Sequence, residues 1–99
     1  MKRIKIVYTK GEAVKYLGFR DLMRTIQRAV RRADIPMIYS QGFNPHMKIS
    51  WGQAIKVGAI SEGEEAILQV EAWVRPQEVM EKLNKTLPPG IAIIEANLV

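Results

Sequence analysis

The sequence predicts an α+β fold, and three observations point to it. Apolar residues alternate singly in several segments, they recur at helical spacing in two others, and the segments follow one another in the order β-α-β-β-α-β. Right-handed crossovers in that order lay two helices on one face of an antiparallel sheet, which is the ferredoxin-like plait. With 99 residues, the whole chain, 1–99, suits one domain of this kind.

In the first segment, residues 2–9, Ile4, Ile6 and Tyr8 alternate with Arg3, Lys5, Val7 and Thr9, the period of a half-buried strand. A break at Lys10, Gly11 and Glu12 ends it. From Phe19 to Ala33 the period lengthens, and Leu22, Ile26, Ala29, Val30 and Ala33 share one arc of a helix at about 100° per residue. Gly18 is the expected N-cap with Asp21 at N3, and Pro36 is expected to stop the helix after Asp34. A second strand spans 48–57, with Ile49, Trp51, Ile55 and Val57 inward, before a turn from Gly58 to Gly63. A third runs 65–74, with Leu68, Val70, Ala72 and Val74 on one face. Pro76 suits the first position of a second helix. Its apolar stripe is Val79, Met80, Leu83 and Leu87, and Glu78 with Lys82 and Glu81 with Lys85 stand at the favourable i,i+4 spacing. After Pro88, Pro89 and Gly90, the last strand, 91–98, alternates around Ala92, Ile94 and Ala96.

Composition excludes several chemistries. The chain has no cysteine and a single histidine, His46. Disulfides, thiolate zinc sites, all-cysteine iron–sulfur clusters and two-histidine metal motifs are therefore closed to it, and no cofactor is expected. No apolar run approaches the roughly 20 residues that span a bilayer, so no membrane partner is expected and a cytoplasmic location is the default. Charge is divided unevenly. Residues 1–56 hold 12 Lys/Arg against 3 Asp/Glu, whereas 57–99 hold 3 against 7. Such asymmetry points to one face suited to anions.

Two features concentrate that expectation. Arg20, Arg24, Arg28, Arg31 and Arg32 share an arc of about 120°, opposite the apolar arc of the first helix. No glutamate stands three or four residues away to pair with them, and a planar guanidinium can hold phosphate through two parallel hydrogen bonds. A solvated helix face is the plainer alternative. The second feature is the stretch Tyr39, Ser40, Gln41, Gly42, Phe43, Asn44, Pro45, His46, followed by Lys48. It combines polar groups and turn residues, and its plainer alternative is a connector whose Phe43 plugs the core. His46 and Ser40 are the one pair that could be asked to do nucleophilic chemistry, though no orienting acid lies near in sequence. The open sheet face offers no aromatic on its first strand for base stacking, and Trp73 alone could serve.

The chain resembles the radical SAM-linked protein family, the DUF2344 domain. The resemblance rests on Asp21 to Arg24, Arg28 to Ala33, Ile35 with Pro36, Tyr39 to Pro45, Lys48 to Ser50, and Gly58, Ser61 and Glu64. It covers nearly the whole chain, and the Ser-Gln-Gly-Phe-Asn-Pro string at 40–45 is its most specific part. It implies a partner, a B12-binding radical SAM enzyme whose cluster this cysteine-free chain could not itself hold. The family's Ser-His pair ahead of the first helix falls here on Gly18 and Phe19, and the prolines of its second strand on Ala54 and Lys56. Three functions are therefore weighed. The first is a non-catalytic domain that recognises RNA through the arginines and the 39–46 loop. The second is a protein-docking domain for the radical SAM partner, and the third an enzyme using His46 and Ser40.

Overall fold

The computed structural model describes residues 1–52 and 60–99. Along the chain come β1 (Lys2–Lys10), a 3₁₀ turn (Glu12–Val14), α1 (Phe19–Arg32), β2 (Ile49–Trp51), β3 (Ser61–Val70), α2 (Pro76–Thr86) and β4 (Ile91–Leu98). The four strands lie in the order β2-β3-β1-β4, each antiparallel to its neighbours. With two helices, this is the α+β ferredoxin-like plait that the element order predicts.

The core forms where the two periods meet. Ile4 and Ile6 stand opposite Leu68 and Ala66 in the β1–β3 ladder, and all four are buried on the same face as Ile91 and Ile93 of β4. Onto that face α1 lays Leu22, Ile26, Ala29 and Val30, and α2 lays Val79 and Leu83. Each large aliphatic side chain so buried contributes about 1.5–3 kcal/mol, so the docking of both helices follows from their apolar stripes. Asn84 adds a polar clamp. Its Nδ2 donates to Ile93 O at 3.0 Å while Ile93 N–H donates to its Oδ1 at 2.8 Å, tying α2 to the outer strand.

Both ends of β3, the register of β4 and the end of α1 differ from the sequence reading, each for a physical reason. β3 begins at Ser61 because Lys10 of β1 reaches down to pair with it, although the glutamate-rich start of β3 carries no apolar alternation. The strand ends at Val70 because β1 has no partner beyond Lys2. Val74 is still buried, but from a turn closed by its N–H on Glu71 O, and Ala72 is exposed. In β4 the inward residues are Ile91 and Ile93, whereas Ala92 and Ile94 are exposed. A bulge between the pairs Val7–Glu95 and Tyr8–Ile93 inserts Ile94, after which Ala96 turns inward as expected.

The end of α1 is set by Asp34 rather than by Pro36. Asp34 takes φ 54°, Asp34 N–H donates to Arg31 O, and Ile35 N–H donates to Val30 O. Those bonds close a Schellman motif, sealed by the buried pair Val30 and Ile35. β2 is described only as Ile49–Trp51, with Ile49 and Trp51 packed against the core as expected; Ile55, Val57 and Gly58 lie outside the described residues. Gly90 turns the chain into β4 at φ 98°, and a Cβ there would stand 3.0 Å from that of Ala13.

Beside the start of α1, Trp51 makes edge contacts with Tyr8 at 6.5 Å and Phe19 at 6.2 Å between ring centroids. Burial, helped by the charge of Glu64 opposite it in the ladder, pushes the Tyr8 phenol up to about 12 from 10.0. On the alkaline side the unfolded chain therefore releases this proton first. The contribution is present below about pH 10 and is lost as pH rises toward about 12, for about 2–3 kcal/mol in all. Urea midpoints at about pH 9 and 11.5 should fall more for the natural chain than for Tyr8→Phe; equal falls would refute the assignment.

Candidate functional site

All five arginines of the ridge, Arg20, Arg24, Arg28, Arg31 and Arg32, are exposed. They point outward because the four buried residues of α1 occupy the other side of the helix. Ion pairs among the described residues include Lys5 with Glu65 at 3.6 Å and Lys15 with Glu12 at 3.0 Å, and neither touches α1. No carboxylate among the described residues stands within 4.0 Å of a ridge guanidinium. Part of the arrangement has a structural cause. Arg31 and Arg32 lie in the last turn, where a positive charge interacts favourably with the negative end of the helix dipole. Arg20, Arg24 and Arg28 have no such reason to be there.

The 39–46 loop is the far end of a hairpin. Ile38 N–H donates to Gln69 O and Glu71 N–H to Pro36 O, so the ascending arm lies along the end of β3. Lys48 N–H then donates to Ile38 O, and Tyr39 pairs with Met47 across the arms. Buried Met37 and Met47 anchor the stem. Above it, Ser40 N–H donates to His46 O at 2.8 Å and His46 N–H donates to Ser40 Oγ at 2.9 Å, closing the tip. Gln41, Gly42, Phe43, Asn44, Pro45 and His46 are exposed, as are Tyr39 and Lys48. Gly42 takes φ 132°, a conformation that side chains other than hydrogen rarely adopt.

Phe43 does not plug the core. Its relative exposure is 105%, so the ring stands clear of the protein. Ser40 and His46 do meet, but through the histidine's backbone amide. That bond fixes the loop and does not activate the hydroxyl, since a general base would need a ring nitrogen on the hydroxyl proton. The hairpin leaves the edge of the sheet and the ridge lies on the helical layer. No hydrogen bond or ion pair joins them among the described residues.

On the open side of the sheet, β1 turns out Arg3, Lys5, Val7 and Thr9, and β3 turns out Glu65, Ile67 and Gln69. Neither central strand presents a ring there, while Trp73 is exposed in the turn after β3. Base stacking of the RRM kind lacks its platform on these strands.

The match to known families decides the affiliation. A family model described as "Uncharacterized protein conserved in bacteria (DUF2344)" matches residues 3–99. The chain belongs to the DUF2344 family. A comparison with the curated proteins finds no match.

One component of this DUF2344 surface escapes sequence reading. The last turn of α2 abuts α1, where Thr86 Oγ1 donates to Ala29 O at 3.1 Å. A cleft of about 420 Å³ opens between them, lined by Thr25, Arg28 and Arg32 from α1 and by Lys85, Thr86 and Leu87 from the end of α2. Lys85 thus joins two ridge arginines from a different helix. Its helical position explains it equally well as a charge on the last turn of α2, so nothing in its local sequence sets it apart. No described helix is long and apolar enough to cross a membrane.

Proposed function

We propose that this DUF2344 domain is a non-catalytic binding module that recognises RNA through Arg20, Arg24, Arg28, Arg31 and Arg32 together with the 39–46 hairpin. Its support is the row of exposed guanidinium groups without a carboxylate within 4.0 Å among the described residues. Such groups repel one another until an anion arrives, so the bare protein carries a binding potential already oriented. Phe43 adds a free ring, and stacking on an aromatic is worth about 1–3 kcal/mol per base of a single strand. By the resemblance, the module works beside a B12-binding radical SAM enzyme, and the cytoplasm is the default location for a chain of this composition.

A labelled single-stranded oligoribonucleotide should bind with an affinity that falls with salt at a log–log slope of roughly −0.7 per phosphate contacted. Binding that is equally strong at low and moderate salt, or absent at both, would overturn the proposal. The exposed Phe43 also supports a second reading, in which the hairpin tip enters a pocket of the radical SAM enzyme and the arginines set the approach. Recovery of that enzyme from native extract after nuclease treatment, with no RNA bound at any salt, would favour it.

A further inference from the structure

We propose that the cleft between α1 and the end of α2 is a binding site for a phosphate group, held by Arg28, Arg32 and Lys85. The inference rests on the anionic-partner reading for its class of ligand, and adds to it a defined seat and a second helix.

Three cations from two elements converge on one concavity of about 420 Å³. None of the three has a carboxylate within 4.0 Å among the described residues; Glu81, the i,i+4 neighbour of Lys85, instead accepts from Gln77 Nε2 at 3.0 Å. The hydroxyls at the cleft are already committed, Thr25 Oγ1 to Asp21 O at 2.8 Å and Thr86 Oγ1 to the α1 backbone. The donors left for a guest are the guanidinium and ammonium N–H groups, which suit an acceptor-only group with several oxygens. The competing effect is the dipole of each helix, because the last turns of both border the cleft. Each helix end carries about −0.5 of a charge, together about −1, against three full positive charges. A surplus of about +2 remains, close to the charge of about −1.5 to −2 on a phosphate monoester at neutral pH. Leu87 supplies an apolar wall beside it, so the seat is partly shielded from bulk screening.

The phosphate could belong to an RNA backbone or to a small molecule, and Lys85 separates the cleft from the rest of the ridge because it lies off α1. The natural chain and Lys85→Gln are titrated with inorganic phosphate and with a single-stranded oligoribonucleotide, following amide and side-chain NMR signals at residues 25, 28, 32, 85 and 86. The expected result is that the oligonucleotide shifts these signals. In Lys85→Gln its affinity should fall roughly fivefold at about 0.1 M salt and the salt slope should flatten by about 0.7. If RNA binds both proteins equally with one slope, the cleft assignment is overturned while the RNA reading stands. If phosphate shifts these signals only in the natural chain and RNA does not bind, the cleft is supported with a small-molecule ligand and the RNA reading is lost. Silence with both ligands overturns both.

Discussion

Replacing Ile26 by alanine is expected to lower the unfolding free energy by about 2–5 kcal/mol, a large share of the total stability of a domain of this size. Ile26 is wholly buried in the middle of the α1 face that packs on the sheet, between Leu22 and the pair Ala29 and Val30. Truncation removes three methyl or methylene groups from that contact and leaves a void that a strand ladder beneath cannot close by moving. The urea midpoint should fall with the slope unchanged, and the melting temperature should drop by roughly 10–30 °C. A loss below about 1 kcal/mol would mean that α1 is not held by this face, and the outward aim of its arginines would lose its explanation.

Changing Arg24, Arg28, Arg31 and Arg32 together to glutamine is expected to weaken oligoribonucleotide binding by a factor of ~600 at about 0.1 M salt. The estimate takes one phosphate contact per arginine at a slope of roughly 0.7 each, so the salt slope should also flatten by about 3. These side chains are exposed and make no ion pair among the described residues, so the fold should survive their loss. Arg31 and Arg32 also interact with the end of α1, for which a small drop in melting temperature is the expected sign. An unchanged slope with weakened binding would show that the arginines act through the fold and not through phosphate.

The ridge was legible because both halves of its pattern are local. Apolar residues at helical spacing fix the inner side of α1, and the opposite arc, with no glutamate at i±3 or i±4, is read off the same fourteen residues. The exposed loop was legible as a turn from Gly42, Asn44 and Pro45, but the position of Phe43 was not. A phenylalanine in a polar stretch fits burial and display equally well, and only the hairpin stem, built on contacts with Gln69 and Glu71, lifts it away from the core. The bulge in β4 was hidden for a related reason. Ile93 and Ile94 are adjacent and equally apolar, so alternation cannot say which faces in until β1 sets the register. The early start of β3 came from pairing with Lys10, which overrides a glutamate-rich stretch of low strand preference. The cleft depends on α2 meeting α1, a long-range contact that neither helix encodes alone.

The Asn84 clamp has a consequence for how these molecules behave when crowded. β4 is an outer border of the sheet, and a bare border is a template on which a neighbouring molecule can add a strand. With both peptide groups of Ile93 occupied by one carboxamide, a newcomer would have to evict that side chain before its own backbone could zip on. The same few atoms that fasten the second helix also deny a newcomer the backbone groups of Ile93.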